Sequence, residues 1–229
     1  MISRRIASAV LVVSTTALVA CGVSRWNTAR HDPTPPVGIT GDRSVDAPPT
    51  VTGPSEREII AALVREYRSM DAASAHQVAA LIDAESRARG VDPFLVAAVA
   101  AKESSFRRTA TSHKGAMGLM QIRPFVGEDV ANRFEIEWSG PEVLHDPETN
   151  IRLGTHYLVE LIERFDGDMH LALAAYHRGP TRVAIRVAEG LPLRSRYAES
   201  VLSLQQDLSD RKRGATVADA RASVVPTEG

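Results

Sequence analysis

Apolar residues recur at helical spacing along most of the chain after residue 54. Ser55-Glu56-Arg57-Glu58 forms a capping-box pattern ahead of an apolar stripe, and Ser74 and Gln77 form a second such pattern. Asp92-Pro93 and Asp146-Pro147 each place an N-cap residue before a proline at the first helical position. No stretch combines strand alternation with hairpin turns. The pattern therefore predicts an all-α domain of about six to nine helices.

The pattern also predicts how the chain ends. Asp168 opens a short apolar helix that reaches Ala175, and two more helices are predicted near residues 181–189 and 195–208. From residue 211 to the C-terminus the sequence is polar and aperiodic. We therefore expect an N-terminal helix over 55–74, a main domain over 75–209 and a disordered tail over 210–229.

One helix has no polar face. Residues 94–101 read FLVAAVAA, which predicts a helix through the middle of the domain. Glu103 follows it, and no other acid occurs before Glu128. Partial burial would raise the pKa of this carboxyl group and keep it protonated, as the cleavage of a glycosidic bond requires. The alternative is a solvated residue at a helix end, paired with Lys102 or a following arginine.

Composition narrows the classes of function. Of 229 residues, 44% are hydrophobic and 24% are charged, which is typical of a soluble globular protein. The formal net charge of -1 argues against a nucleic-acid partner, which would favour a basic surface. A single cysteine excludes an internal disulfide and a Cys-based metal cluster, and the seven histidines show no metal-ligand spacing. We predict no metal and no cofactor.

The first residues are typical of a targeting segment. Arg4 and Arg5 precede an uncharged, mostly apolar run over 6–20, which is shorter than the ~20 residues that span a bilayer. Leu18-Val19-Ala20-Cys21 resembles a bacterial lipobox. This predicts a signal peptide over 1–20 and a lipid attached to Cys21. The alternative is an uncleaved anchor with a chance cysteine.

Residues 21–54 are predicted to tether the folded domain to the lipid. Six of the thirteen prolines lie between Pro33 and Pro54, among Thr, Gly, Asp and Val, and such a composition cannot bury a core. Gly22 follows the lipobox cysteine, where an aspartate would suggest inner-membrane retention. The expected location is the cell envelope, at the outer membrane and facing the periplasm.

Four blocks carry a resemblance to a known family. Read in order, "ESSF", "GAMGLMQIRP", "DPETNIRLGTHYL" and "LALAAYHRGP" resemble the lytic transglycosylase domain of bacterial murein-degrading enzymes, a relative of goose-type lysozyme. The resemblance covers roughly residues 75 to 208. It implies a lysozyme-like, all-α fold with a groove for peptidoglycan glycan strands, and it implies no cofactor.

The resemblance also implies roles for individual residues. Glu103 falls on the family's single catalytic acid and base, and Tyr176 on the aromatic residue that faces it. Ser104 falls on a neighbour that hydrogen-bonds near the cleaved linkage. The residues that fall on the glycan-contacting loop are Gly118, Leu119, Met120 and Gln121. Among these, core packing of Leu119 remains an equal alternative to substrate contact.

Two positions near the proposed cleft need separate treatment. The family usually reads Ala-Tyr-Asn-x-Gly-Pro, whereas this chain has His177 in "AYHRGP". Imidazole can still hydrogen-bond to a sugar, but it titrates near pH 6.5. Tyr197 fits a second tyrosine that lines the cleft, with core packing as the alternative. The preceding "LPLRSRY" lacks the Glu-Thr-Arg of many relatives, so no acid role is expected there.

The isolation of Glu103 bears on the reaction. A typical glycosidase needs a second carboxylate. By resemblance, Glu103 acts first as acid and then as base, and the substrate's C6 hydroxyl attacks C1 to leave a 1,6-anhydro end. Two alternatives stay open. Asp146 or Glu148 could fold across the cleft and activate water, as in a hydrolysing muramidase. The chain could also be an inactive murein-binding lipoprotein. The oligomeric state is not predicted.

Overall fold

The computed structural model describes the backbone of residues 53–222 and the side chains up to residue 217. This part of the chain is helical, as predicted, and two isolated β-bridges are its only extended pairings. It contains a 3₁₀ helix at Pro141–His145 and eight α-helices. These are α1 (Glu56–Tyr67), α2 (Ala72–Ala88), α3 (Pro93–Ser104), α4 (Pro124–Arg133), α5 (Pro147–Arg164), α6 (Met169–Arg178), α7 (Pro180–Ala188) and α8 (Arg196–Ala222).

Most of the predicted helix starts are confirmed. Ser55 forms a complete capping box with Glu58 at the start of α1. Asp92, Asp146 and Asp168 each accept a backbone N–H at the start of α3, α5 and α6. A side-chain oxygen at these positions satisfies an N–H group that the first helical turn leaves without a partner.

Two predicted boundaries are wrong. The predicted N-terminal helix over 55–74 ends at Tyr67, and α2 begins at Ala72 rather than after Ser74. Asp71 is the cap, since its carboxylate accepts both the backbone N–H of Ser74 at 2.9 Å and the hydroxyl of Ser74 at 2.6 Å. Helix α4 was not predicted, because Arg123 at its N-cap makes no side-chain capping hydrogen bond.

Helix α3 lies in the core, as its sequence predicted. Every side chain from Phe94 to Ala101 is at most 4% exposed. The helix packs against α1, α2 and α8, so it is covered on several sides. An apolar helix enclosed in this way fixes the position of whatever follows its last turn.

The prediction of a disordered tail is wrong for residues 210–222, which continue α8. Arg211 donates to Glu66 at 2.7 Å, and Lys212 pairs with Glu56, so two ion pairs join the extension to α1. The periodic apolar signal fades after Leu208, and such polar contacts between helices leave no pattern in the sequence of one helix.

The predictions for the N-terminus lie outside the described residues. This applies to the signal peptide, to Cys21 and to the tether up to residue 52. Within residues 53–222, no helix has both the length and the apolar character required of a bilayer-crossing segment.

Candidate active site

The backbone turns sharply where α3 ends. Ser105 and Phe106 both adopt left-handed conformations, with φ of 51° and 58°, which are unfavourable for residues other than glycine. Phe106 is only 1% exposed, and Tyr67 contacts it edge-on with ring centroids 5.9 Å apart. Burial of this ring stabilises the turn. It leaves Glu103 in the last turn of α3, at the edge of the core.

Glu103 is largely shielded from water, although polar side chains line the cavity that it faces. Its burial raises the pKa of the carboxyl group from 4.5 to about 7, and the nearby Tyr197 hydroxyl opposes part of this rise. Among the described residues, no basic side chain forms an ion pair with Glu103, and Arg107 instead donates to the carbonyl of Ser104 at 3.1 Å. The environment therefore fits a proton donor better than a solvated, ion-paired residue.

Two tyrosines lie beside this carboxyl group. The hydroxyl of Tyr176 donates to the carbonyl of Met120 at 2.8 Å. The hydroxyl of Tyr197 is buried and makes no well-aligned hydrogen bond to a described residue, although it lies close enough to influence Glu103. Burial, followed by the charge of Glu103, raises the pKa of both phenols well above their usual value. Both side chains therefore remain neutral at physiological pH.

Glu103 lines a cavity of about 530 Å³. The other residues that line it are Arg107, Thr109, Ala110, Thr111, Ser112, His113 and Gln121. Gln121 has a φ of 50°, and its amide nitrogen donates to the carbonyls of Ala110 at 3.1 Å and Gly118 at 2.9 Å. These bonds fix the amide and leave its oxygen as an acceptor in the cavity. Gln121 and Glu103 therefore line the same cavity.

A residue that the sequence analysis missed holds the 117–122 loop in place. Asn150 of α5 is fully buried. Its amide donates to the carbonyls of Met117 at 2.9 Å and Leu144 at 2.8 Å, and its oxygen accepts the backbone N–H of Met120 at 2.7 Å. The only signal in the sequence was a polar residue on the buried face of α5, which does not reveal its partners.

Three residues expected on the glycan-contacting loop face the protein interior. The side chain of Met120 is fully buried and packs against Gly154, and Leu119 is also in the core. Gly118 has a φ of 77°, and a Cβ there would overlap the Leu144 carbonyl and the Asn150 side chain. The side chain of Met120 is therefore not available to a glycan strand, and core packing is the correct alternative for Leu119. The atoms that leave no room for a side chain at Gly118 therefore belong to the protein itself.

Ser104 also departs from its expected role. It is 1% exposed, and its hydroxyl donates to the carbonyl of Leu119 at 2.7 Å. A buried hydroxyl that is already used by the loop is not placed to bond a sugar. Its position instead connects the end of α3, and therefore Glu103, to the loop that carries Gln121.

His177 is exposed and lies against Tyr197. The two rings stack with centroids 4.5 Å apart and an interplanar angle of 14°. Partial burial lowers the pKa of His177, and the positive charges of Arg178 and Lys114 lower it further. A neutral imidazole at this position can donate or accept a hydrogen bond at the mouth of the site.

No second carboxylate lines the Glu103 cavity in the described part of the chain. Asp146 caps α5 by accepting the backbone N–H of Thr149 at 2.8 Å, and it lines a different cavity together with Glu148. Neither acid therefore crosses the cleft toward Glu103. The described residues also contain no cluster of three His, Cys, Asp or Glu side chains that could hold a metal ion.

The chain is similar to known murein transglycosylases. A family model described as the transglycosylase SLT domain matches residues 80–189. The soluble lytic murein transglycosylase of Salmonella typhimurium is 37% identical over 99 residues, which are 43% of this chain and 15% of the relative. The membrane-bound lytic murein transglycosylase C of Sodalis glossinidius is 31% identical over 159 residues, which are 61% of this chain and 44% of the relative. The chain therefore corresponds to less than half of either protein.

A solved structure supports the fold. The complex of the 70-kDa soluble lytic transglycosylase with bulgecin A superposes with a TM-score of 0.50 and 25% sequence identity. The match covers 77% of this chain and 32% of that chain. The lysozyme-like, all-α fold expected from the sequence is thereby confirmed for the described residues.

Proposed function

We propose that this chain, in which residues 80–189 match a family model described as the transglycosylase SLT domain, cleaves the glycan strands of peptidoglycan by a non-hydrolytic route. One observation carries the proposal. Glu103 lies at the end of a buried helix, with a pKa of about 7, in a cavity whose described lining contains no other carboxylate. A single acid of this kind can donate a proton and later accept one. It lacks the partner that a two-carboxylate hydrolase uses.

In the first step, the protonated carboxyl group of Glu103 donates its proton to the oxygen between N-acetylmuramic acid and N-acetylglucosamine. The C1–O bond breaks, and N-acetylglucosamine leaves with a free C4 hydroxyl. The substrate's own N-acetyl group can stabilise the positive charge that develops at C1. The burial of Glu103 favours this step, because it raises the pKa of the carboxyl group and keeps it able to donate a proton near pH 7.

In the second step, the Glu103 carboxylate accepts the proton of the C6 hydroxyl on the same muramic acid residue. The C6 oxygen attacks C1, and a 1,6-anhydro end forms without the entry of water. The hydroxyl of Tyr197 is suited to stabilise Glu103 between the two steps, because it has no other described partner and its proximity favours the charged form. Gln121 offers its amide oxygen to a sugar hydroxyl, and His177 offers a neutral ring nitrogen.

Mass spectrometry of purified peptidoglycan digested with the protein tests the proposal. We expect muropeptides with anhydro ends, each lighter by one water than the product of hydrolysis. Reducing ends would instead identify a muramidase. The Glu103→Gln variant should release neither product, because an amide cannot donate the required proton. If the wild-type protein binds sacculi but releases nothing, it is an inactive murein-binding protein.

We also propose that the protein is anchored in the cell envelope by a lipid on Cys21. The support is the lipobox resemblance of residues 18–21 and the similarity to a relative named as membrane-bound. Metabolic labelling with an alkyne fatty acid should mark the wild-type protein and not a Cys21→Ser variant. Separation of inner and outer membranes would then test the expected outer-membrane location. Labelling of both proteins would contradict the assignment of Cys21.

A further inference from the structure

We propose that an arginine-lined groove beside the active site binds the carboxylates of peptide stems carried by the glycan strand, an inference that rests on the proposed function. The groove has a volume of about 1010 Å³ and is separate from the Glu103 cavity. Arg178, Arg182, Arg186 and Arg194 line it, and no acidic residue does. Thr181, Ile185 and Pro192 complete the lining.

The four arginines lack acidic partners. None of them forms an ion pair with a carboxylate among the described residues. Elsewhere in the described residues six arginines form ion pairs, among them Arg57 with Asp83 and Arg133 with Asp129. Four guanidinium groups around one concavity repel each other, and an anionic ligand would relieve this repulsion. Guanidinium groups also match the planar geometry of a carboxylate.

Two of the arginines hold the walls of the groove together. Arg178 at the end of α6 donates to the carbonyl of Arg194 at 3.0 Å, and Arg186 of α7 donates to the carbonyl of Pro192 at 3.1 Å. These bonds fix the 191–194 segment against α6 and α7. The side chains of Arg182 and Arg194 make no hydrogen bond to the described residues, so both are available to a ligand.

The groove is connected to the catalytic residues through the same two segments of chain. Arg178 follows His177 and is two residues from Tyr176, while Arg194 is three residues before Tyr197. His177 and Tyr197 stack on each other, so the two walls meet beside the site. A four-residue peptide spans about 13 Å when extended, which is the reach available to a stem on a sugar bound near Glu103.

The chemistry of the lining favours a peptide stem. Stems of peptidoglycan combine several free carboxylates with small aliphatic side chains. The arginines supply positive charge for the carboxylates. Ile185, which is 53% exposed, supplies apolar surface for the aliphatic side chains, as does Pro192. An anionic membrane would also attract the arginines. However, a groove whose walls continue into the segments that carry His177 and Tyr197 fits a segment of substrate better than a lipid surface.

A binding assay separates the stem from the glycan. The Glu103→Gln protein, which holds substrate without cleaving it, is titrated with fluorescent glycan fragments that either retain their stems or have lost them to an amidase. We expect the fragments with stems to bind about 3- to 10-fold more tightly, as two exposed arginine–carboxylate pairs would provide. Adding R182Q and R194Q should remove this preference while binding of the stripped fragments persists.

The matched control is R65Q with R68Q, in the last turn of α1 and directly after it; α1 packs on α2, α3 and α8. It removes two exposed guanidinium groups, and neither side chain makes a hydrogen bond or an ion pair to the described residues, so it should preserve the preference. Equal loss of affinity for both fragments, or equal loss in the control, would overturn the proposal. The proposal would also be overturned if the protein showed no preference for fragments with stems but bound anionic vesicles through Arg182 and Arg194. If the wild-type protein fails to form anhydro ends, the proposed function fails, but the binding assay still tests the groove.

Discussion

Replacing Glu103 by glutamine should stabilise the folded protein at alkaline pH while abolishing its activity. The reason is that the carboxylate form of Glu103 is unfavourable in its buried position, as its raised pKa records. Glutamine has almost the same shape and no charge, so it removes this cost and keeps the packing. The substitution therefore tests in one variant whether the environment of Glu103 raises its pKa.

The size of the effect follows from linkage between protonation and folding. Between pH 4.5 and about 7 the folded state binds the proton of Glu103 more tightly than the unfolded state, so the free energy of unfolding falls as pH rises through this window. Below pH 4.5 both states are protonated and the stabilisation is fully present. Above pH 7 it is lost. Each pH unit corresponds to about 1.4 kcal/mol, which gives about 3 kcal/mol in total.

The measurement is urea unfolding of the wild-type and Glu103→Gln proteins at pH 4.5 and pH 8. The advantage of the variant should be about 2 to 3 kcal/mol larger at pH 8. Glu128→Gln provides the control, because it removes an exposed carboxylate from α4. An advantage of the same size at both pH values, or one that is larger at pH 4.5, would refute the argument that burial raises the pKa.

Three further predictions concern the surroundings of Glu103. Tyr197→Phe removes the hydroxyl that opposes the rise in the pKa of Glu103. The activity of the wild type should fall above about pH 7, and in the variant this fall should move to higher pH. An unchanged pH profile would contradict this role of Tyr197. Asn150→Ala leaves three buried backbone groups without their partner and should cost about 2 to 5 kcal/mol in urea unfolding, whereas a cost below 1 kcal/mol would argue against the network. Gly118→Ala should cost at least ~2 kcal/mol, because the methyl group overlaps the Leu144 carbonyl and the backbone has a positive φ; wild-type stability would show that the loop can move aside.

The fold could be predicted where local signals are strong. The apolar run over 94–101 can lie only in the core of a soluble domain. The caps at Ser55, Asp92 and Asp146 are side chains that directly precede their helices. Helix α4 lacks such a cap, and the end of α8 is held by ion pairs to a helix about 145 residues earlier. Long-range polar contacts of this kind leave no periodicity, so the sequence could not predict them.

The sequence was sufficient to predict which residues lie near the candidate site, but not the direction in which their side chains point. Glu103, Gln121 and Tyr197 lie together as expected, because helix ends and tight turns place them at the mouth of the core. Met120 belongs to the same loop, but its side chain points inward. Which way a loop residue faces depends on what packs behind it, here Gly154 of α5, and that pairing is set by tertiary structure.

The residues behind the 117–122 loop give it a single conformation. Ser104, Tyr176 and Asn150 come from α3, α6 and α5, and each bonds a different backbone group of the loop. Gln121 therefore meets Glu103 only because three helices fix the same short segment. A substitution at one of these positions would change the distance between the acid and the substrate without touching either. Since catalysis is sensitive to displacements of about 1 Å, such substitutions should lower turnover even where the fold survives.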